Sequence, residues 1–163
     1  MKKILLVLIM VLCLFGCKKK EKEIELLEDE VILEGIKYKF DQDDSSYGIN
    51  YKVASNLKKF DTGNAINYKS EEIDGSSYFV FRIFHYTNKT IDYAIKDTTT
   101  EYDSKEEIKV GDVDYTKVHF TNYNGANTYL YYHKHNKDVY AFCFTAHIDI
   151  SRLENIFLER IVY

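Results

Sequence analysis

The sequence predicts an α+β domain: an antiparallel β-sheet of about six or seven strands, with a short middle helix and a C-terminal helix packed on it. Three observations lead there. From Gly35 onward, aromatic and polar residues alternate in short runs broken by Gly, Asn, Asp and Ser, which is the two-residue period of half-buried strands. Between Thr90 and Tyr102 the period lengthens to that of a helix, and after Asp149 a second helical stripe follows. With 163 residues, 45% of them hydrophobic and including 15 Tyr and 10 Phe, the chain has the size and the apolar content for one domain with its own core.

The elements follow in order. Ile36-Lys37-Tyr38-Lys39-Phe40 alternates strictly and reads as a strand, and the polar run Asp41 to Ser46 reads as a turn or loop. Tyr47 to Lys52 is strand-like, while Asn56 to Thr62 follows neither period. Ala65 to Lys69 and Tyr78 to Tyr86 read as two strands joined by a loop around Asp74-Gly75. In the middle helix, Ile91, Ala94, Ile95, Thr98 and Tyr102 fall at helical spacing, with Thr90 placed as its N-cap. Three β-branched threonines at 98 to 100 predict a short helix with a frayed end.

Val110 to Thr121 and Asn127 to Lys134 read as strands joined through Asn124-Gly125, a pair suited to a tight hairpin turn. A second tight turn at Asn136-Lys137 leads into Val139 to Ala146. With two-residue turns at both places, Val118, Phe120, Tyr129, Tyr131, His133, Tyr140, Phe142 and Phe144 share a core face. Lys117, His119, Leu130, Tyr132, Ala141 and Cys143 then share the other, partly covered face. Asp149 caps a final helix whose Ile150, Leu153, Ile156, Phe157 and Ile161 form an apolar stripe.

The first residues have a different character. Met1-Lys2-Lys3 precedes an unbroken apolar run from Ile4 to Phe15, shorter than the roughly 18 residues a membrane-spanning helix needs and suited to a secretory signal. Leu14-Phe15-Gly16-Cys17 resembles the lipobox of bacterial lipoproteins, with Phe15 replacing the small residue usual at its position. That resemblance implies a signal peptide at 1–16, a diacylglyceryl group on the Cys17 thiol, and an extracytoplasmic protein anchored to the bacterial membrane through that lipid. The expected division is then a lipidated Cys17 and charged spacer over 17–34 and a single globular domain over 35–163. Cleavage before Cys17 leaves 147 residues with 20 basic against 26 acidic side chains, a charge of −6. Of the three cysteines, Cys13 is discarded and Cys17 lipidated, so Cys143 has no intramolecular disulfide partner.

The closing segment VYAFCFTAHIDISRLENIFLERIV is similar to the end of PsbP-like domains, a resemblance of element order and aromatic spacing over residues 60–163 that implies a layered sandwich. No functional residue of that family matches a position here.

Motifs for chemistry are scarce. The net charge of −4 and pI near 5.7 argue against nucleic acid as a partner. No GxSxG, P-loop or GxGxxG is present, so neither a catalytic mechanism nor a nucleotide cofactor is expected. Asp41, Asp43 and Ser45 begin like a calcium loop, but Ser46 and Lys52 stand where Gly and Glu are required. Cys143, between Phe142 and Phe144, reads as a small core residue rather than an activated thiol. His133 and His135 share a strand face, with Asp138 opposite His135 across the tight turn, a spacing that suits a metal bound by two imidazoles and a carboxylate. Tyr38, Tyr115, Tyr123 and Tyr132 are expected to stay partly exposed, as amphipathic surface for a protein, peptide or sugar ligand. The sequence thus points first to a non-enzymatic, lipid-anchored binding module at the cell envelope, and second to a metal-binding protein centred on His133, His135 and Asp138.

Overall fold

The structure, a computed structural model, describes residues 26–33, 36–70, 79–121, 127–145 and 150–163. Among the described residues, ten strands form two antiparallel sheets. The smaller sheet contains β1 (Glu30–Leu33), β2 (Ile36–Ser46) and β3 (Ile49–Ala54), in that order. The larger contains β4 (Leu57–Asp61), β5 (Ala65–Ser70), β6 (Phe79–Tyr86), β7 (Ser104–Val110), β8 (Val113–Thr121), β9 (Asn127–His135) and β10 (Asp138–Thr145), ordered β4-β5-β6-β10-β9-β8-β7. Helix α1 (Ile91–Thr98) connects β6 to β7, and α2 (Ile150–Ile156) follows β10 and runs into a 3-10 turn at Leu158–Arg160. The expected α+β class is therefore present, and the sheet of about six or seven strands has seven, with a second small sheet added. Among the described residues, no helix is long and apolar enough to cross a membrane.

The main core lies between the inner face of the large sheet and a layer made of the small sheet and α2. Alternation along β6 and β10 turns Phe81, Phe142 and Phe144 inward. Phe40 of β2 meets Phe81 at a ring-centroid distance of 6.3 Å, and Tyr51 of β3 meets Tyr68 of β5 at 6.1 Å. Phe157, just after α2, is fully buried among Phe81, Tyr51, Phe144, Phe142 and Phe40 at 4.6–6.4 Å. Helix α2 is also held by its Glu154, whose Oε1 accepts from Lys117 Nζ at 2.9 Å and from the Tyr131 hydroxyl at 2.7 Å.

A smaller core lies on the outer face, where Ala94 and Ile95 of α1 pack on Val118, Leu130, Tyr132, Val139, Ala141 and Cys143. Helix α1 is capped as expected: the Thr90 hydroxyl accepts from the Tyr93 amide at 3.2 Å, and the helix ends at Thr98.

The structure changes four features of the sequence reading. The run Asp41 to Ser46 belongs to strand β2, because its polar side chains find partners on neighbouring strands. Asp43 pairs with Lys52, and Asp44 accepts from Lys59 and from the Tyr68 hydroxyl. Tyr47 and Gly48, with φ of 52° and 82°, make the tight turn into β3. Second, Val110 to Thr121 is not one strand, since Gly111 at φ 58° turns the chain between β7 and β8.

Third, Thr121 pairs with Asn127, so five residues separate the paired ends of β8 and β9 where a two-residue turn was expected. The register moves by one and the faces of β8 exchange. Val118 and Phe120 join the outer face, and Lys117 and His119 turn inward. Fourth, the final helix stops at Ile156, and Ile161 is buried beyond the 3-10 turn instead of on a helical stripe; Val162 then bridges Asn50 of β3 through two 2.9 Å hydrogen bonds. Asn124-Gly125 and Asp149 lie outside the described residues. Strand β1, with Val31 fully buried, lies within the stretch read as spacer.

Candidate functional site

Crossing from β6 to the far edge at β7 carries α1 over β9 and β10 of the outer face. Of the described helices, only α1 packs on this face, so no described helix lies over the outer surface of β4 and β5. Register places Phe60, Asn67, Arg82 and Cys143 in one row across β4, β5, β6 and β10, and Ala65, Phe84 and Ala141 in a parallel row across β5, β6 and β10. Between the rows and the β4–β5 turn lies a groove of about 360 Å³, lined by Phe60, Thr62, Asn64, Ala65, Asn67, Lys69, Arg82 and Phe84.

The groove is built on fixed parts. Asn67, 5% exposed, donates through Nδ2 to Thr62 Oγ1 at 3.1 Å, to the Ala65 carbonyl at 3.3 Å and to the Phe60 carbonyl at 3.4 Å, which pins the rim strand to the floor. Phe60, by contrast, leaves 45% of its surface exposed on an edge strand, with Lys69 Nζ 5.4 Å from its ring centroid. The described lining includes two cations and no carboxylate, in a chain whose net charge is −4. Three other clefts carry Glu107 with Asp112 and Asp114, Glu28 with Glu159, and Glu101 with Asp103. Beside the groove, burial pushes the Cys143 thiol up to about 11, so it stays protonated at neutral pH and is no nucleophile.

His133, His135 and Asp138 lie at one end of the inner face, but among the described residues no group of three or more His, Cys, Asp and Glu side chains is placed to hold a metal ion. Asp138 accepts instead from the Asn88 amide and hydrogen-bonds His85 Nε2 at 3.0 Å, and its carboxyl is held below the usual range, chiefly by His85. His133 donates from Nδ1 to the Asp114 carbonyl at 2.9 Å. Its ring and that of His135 pack on Tyr163, with centroids 4.4 and 5.4 Å away. These groups dock the residues after α2 onto the sheet.

Burial lowers the pKa of His133 below the ordinary 6.5. The unfolded chain therefore takes up this proton first, so stability from neutral His133 is full above about 6.5 and falls as pH drops through that value. The urea midpoint is expected to fall between pH 7.5 and 5.5, and to fall less in His133→Phe; equal slopes in the two proteins would refute the assignment.

Tyr38, Tyr115 and Tyr132 are buried, not exposed, at 2% or less, and Tyr123 lies outside the described residues, as does Cys17. The aromatic ring offered to solvent at the groove is Phe60, which the sequence reading passed over. Its signal was an aromatic among charges in Leu57-Lys58-Lys59-Phe60-Asp61, a segment without a clean period.

No family model matches the chain. No curated protein matches it. Among solved structures it is similar to a protein of Bacteroides thetaiotaomicron VPI-5482, at 18% identity and a TM-score of 0.49, over 70% of this chain and 44% of that one. The chain thus spans less than half the length of that protein.

Proposed function

We propose that the protein is a non-enzymatic binding module of the cell envelope, anchored to the membrane by a diacylglyceryl group on Cys17, whose ligand sits in the groove of the large sheet. The observation that carries this reading is the groove itself: a pinned floor, an exposed aromatic ring and two cations on a part of the sheet where no described helix packs. A metal role for His133, His135 and Asp138 has less behind it, because Asp138 is engaged by His85 and Asn88.

The test is amide shift mapping of the full-length chain in detergent micelles against a panel of small oligosaccharides, aromatic acids and short peptides. Members that bind are expected to perturb β4–β6, and Phe60→Ala to remove the perturbation. A panel that binds nowhere, or only on the inner face, would overturn the reading.

A further inference from the structure

We infer that β4 is the seam of a symmetric dimer, in which this edge of the large sheet pairs antiparallel with the same edge of a second copy of the chain. The inference does not depend on a ligand in the groove. β4 ends the order β4-β5-β6-β10-β9-β8-β7, and among the described residues only β5 pairs with it. The ladder fixes which of its backbone groups face outward. Thr62 donates its amide to the Ala65 carbonyl at 3.0 Å, so Thr62, and by alternation Phe60 and Lys58, direct their N–H and C=O groups at β5. Lys59 and Asp61 therefore direct theirs away from β5, towards the open edge. Such an edge is a template for another strand unless charge or shape forbids it.

Charge selects one register. When two copies of β4 pair antiparallel with their outward groups meeting, the two-fold axis passes through a residue of the strand. An axis at Lys58, Lys59 or Asp61 sets that charged residue opposite its own copy, which is unfavourable. An axis at Phe60 does the reverse: Lys59 falls opposite the partner's Asp61, Asp61 opposite the partner's Lys59, and Lys58 opposite the partner's Thr62. Both Lys59 and Asp61 pairs are of the hydrogen-bonded kind, so the seam holds about four backbone bonds. Existing contacts stay in place. Lys59 Nζ gives two of its three N–H groups to Asp44 and the Ser45 carbonyl, and the exposed Asp61 accepts from the Gly63 amide at Oδ1 while its carboxylate keeps further lone pairs.

The same axis covers the exposed ring. Phe60, 45% exposed, comes to stand opposite the partner's Phe60 in the closer, non-hydrogen-bonded kind of pair, with Cβ atoms about 4.5–5.5 Å apart. The two rings then form a wall shared by two grooves. The other edge strand, β7, has no such ring: its exposed residues are Ser104, Lys105, Glu106, Glu107 and Lys109, and Ile108 packs on the main core. A few backbone bonds and one ring pair make a small interface, so the dimer is transient.

The experiment is disulfide trapping of the full-length chain in detergent micelles under mild oxidation, which accumulates a transient dimer even with the ring pair removed. Phe60→Cys places two thiols on residues whose Cα atoms lie about 4.5 Å apart, within the span of a disulfide. Lys58→Cys, on the same face, leaves its two copies about 13 Å apart along the seam, beyond bridging. Tyr93→Cys, exposed on α1, measures random encounters, and the unaltered chain gives the background from its own cysteines. Phe60→Cys is expected to yield at least roughly tenfold more dimer than either control, joined at the substituted position by the mass of the linked peptides. Adding Asp61→Lys sets lysine opposite lysine and is expected to cut that yield by roughly tenfold, and Asp61→Asn, which keeps an acceptor for Gly63, to cut it less. Trapping of Phe60→Cys no better than Tyr93→Cys overturns the seam. Trapping strongest at Lys58→Cys, or a yield that neither Asp61 substitution moves, overturns the charge-selected register and the inference with it.

Discussion

Phe157→Ala is expected to remove about 3–5 kcal/mol of stability, the range for truncating a fully buried phenylalanine. Phe157 is 0% exposed, and its ring touches Phe40 of β2, Tyr51 of β3, Phe81 of β6 and Phe142 and Phe144 of β10. It therefore joins the small sheet, the helical layer and the centre of the large sheet. Its neighbours belong to strands tied into two hydrogen-bonded ladders, so they have little freedom to collapse into the space left behind. Because a domain of this size holds about 5–15 kcal/mol in total, the variant should stand near the edge of folding at 25 °C. Tyr93, 45% exposed on α1, supplies the control: Tyr93→Ala should change stability by no more than about 0.5 kcal/mol. Urea denaturation decides it, since a drop in midpoint at unchanged slope is a loss of stability alone. A Phe157→Ala cost below about 1 kcal/mol would mean that the layers are not joined here.

What could be read from the sequence was what local physics decides. Thr90 caps its helix because its hydroxyl reaches an amide three residues on, whatever surrounds it. Asn136 turns β9 into β10 with φ 56°, and Asp138 pairs with His135 as a two-residue turn requires. What escaped was decided from far along the chain. The acidic run in β2 looked like a loop because its partners, Lys59 and Tyr68, stand on strands of the other sheet. The face of β8 depended on the parity of one loop length, and a single residue was enough to exchange Lys117 for Val118 in the core. Lys117 tolerates its inward position because Glu154 of α2 meets it, a contact invisible before the fold is known. The groove was hidden for the same reason: Phe60, Asn67 and Arg82 are scattered in sequence and become neighbours only through strand register.

Cys17→Ser is expected to abolish lipid labelling and release the protein from the membrane fraction, an all-or-none effect. A single acyl chain holds a protein to a bilayer only marginally and reversibly, with about 0.8 kcal/mol gained per buried CH₂, whereas two chains anchor it stably. Serine is nearly isosteric with cysteine but lacks a thiol, so the substitution would remove the proposed diacylglyceryl anchor, and it disturbs nothing in the described fold. Twelve residues lie between Cys17 and Glu30, where β1 begins, and the thirteen steps of chain from one to the other, fully extended, span no more than about 45 Å. Anchoring at Cys17 would therefore hold the start of β1 within that distance of the lipid. The readouts are incorporation of labelled fatty acid, fractionation of cells, and the mass of the purified chain. Loss of label with release into the soluble fraction supports the anchor. A Cys17→Ser protein that stays membrane-bound and uncleaved would show that the apolar run from Ile4 to Phe15 holds the chain by itself, and the lipid reading would fall.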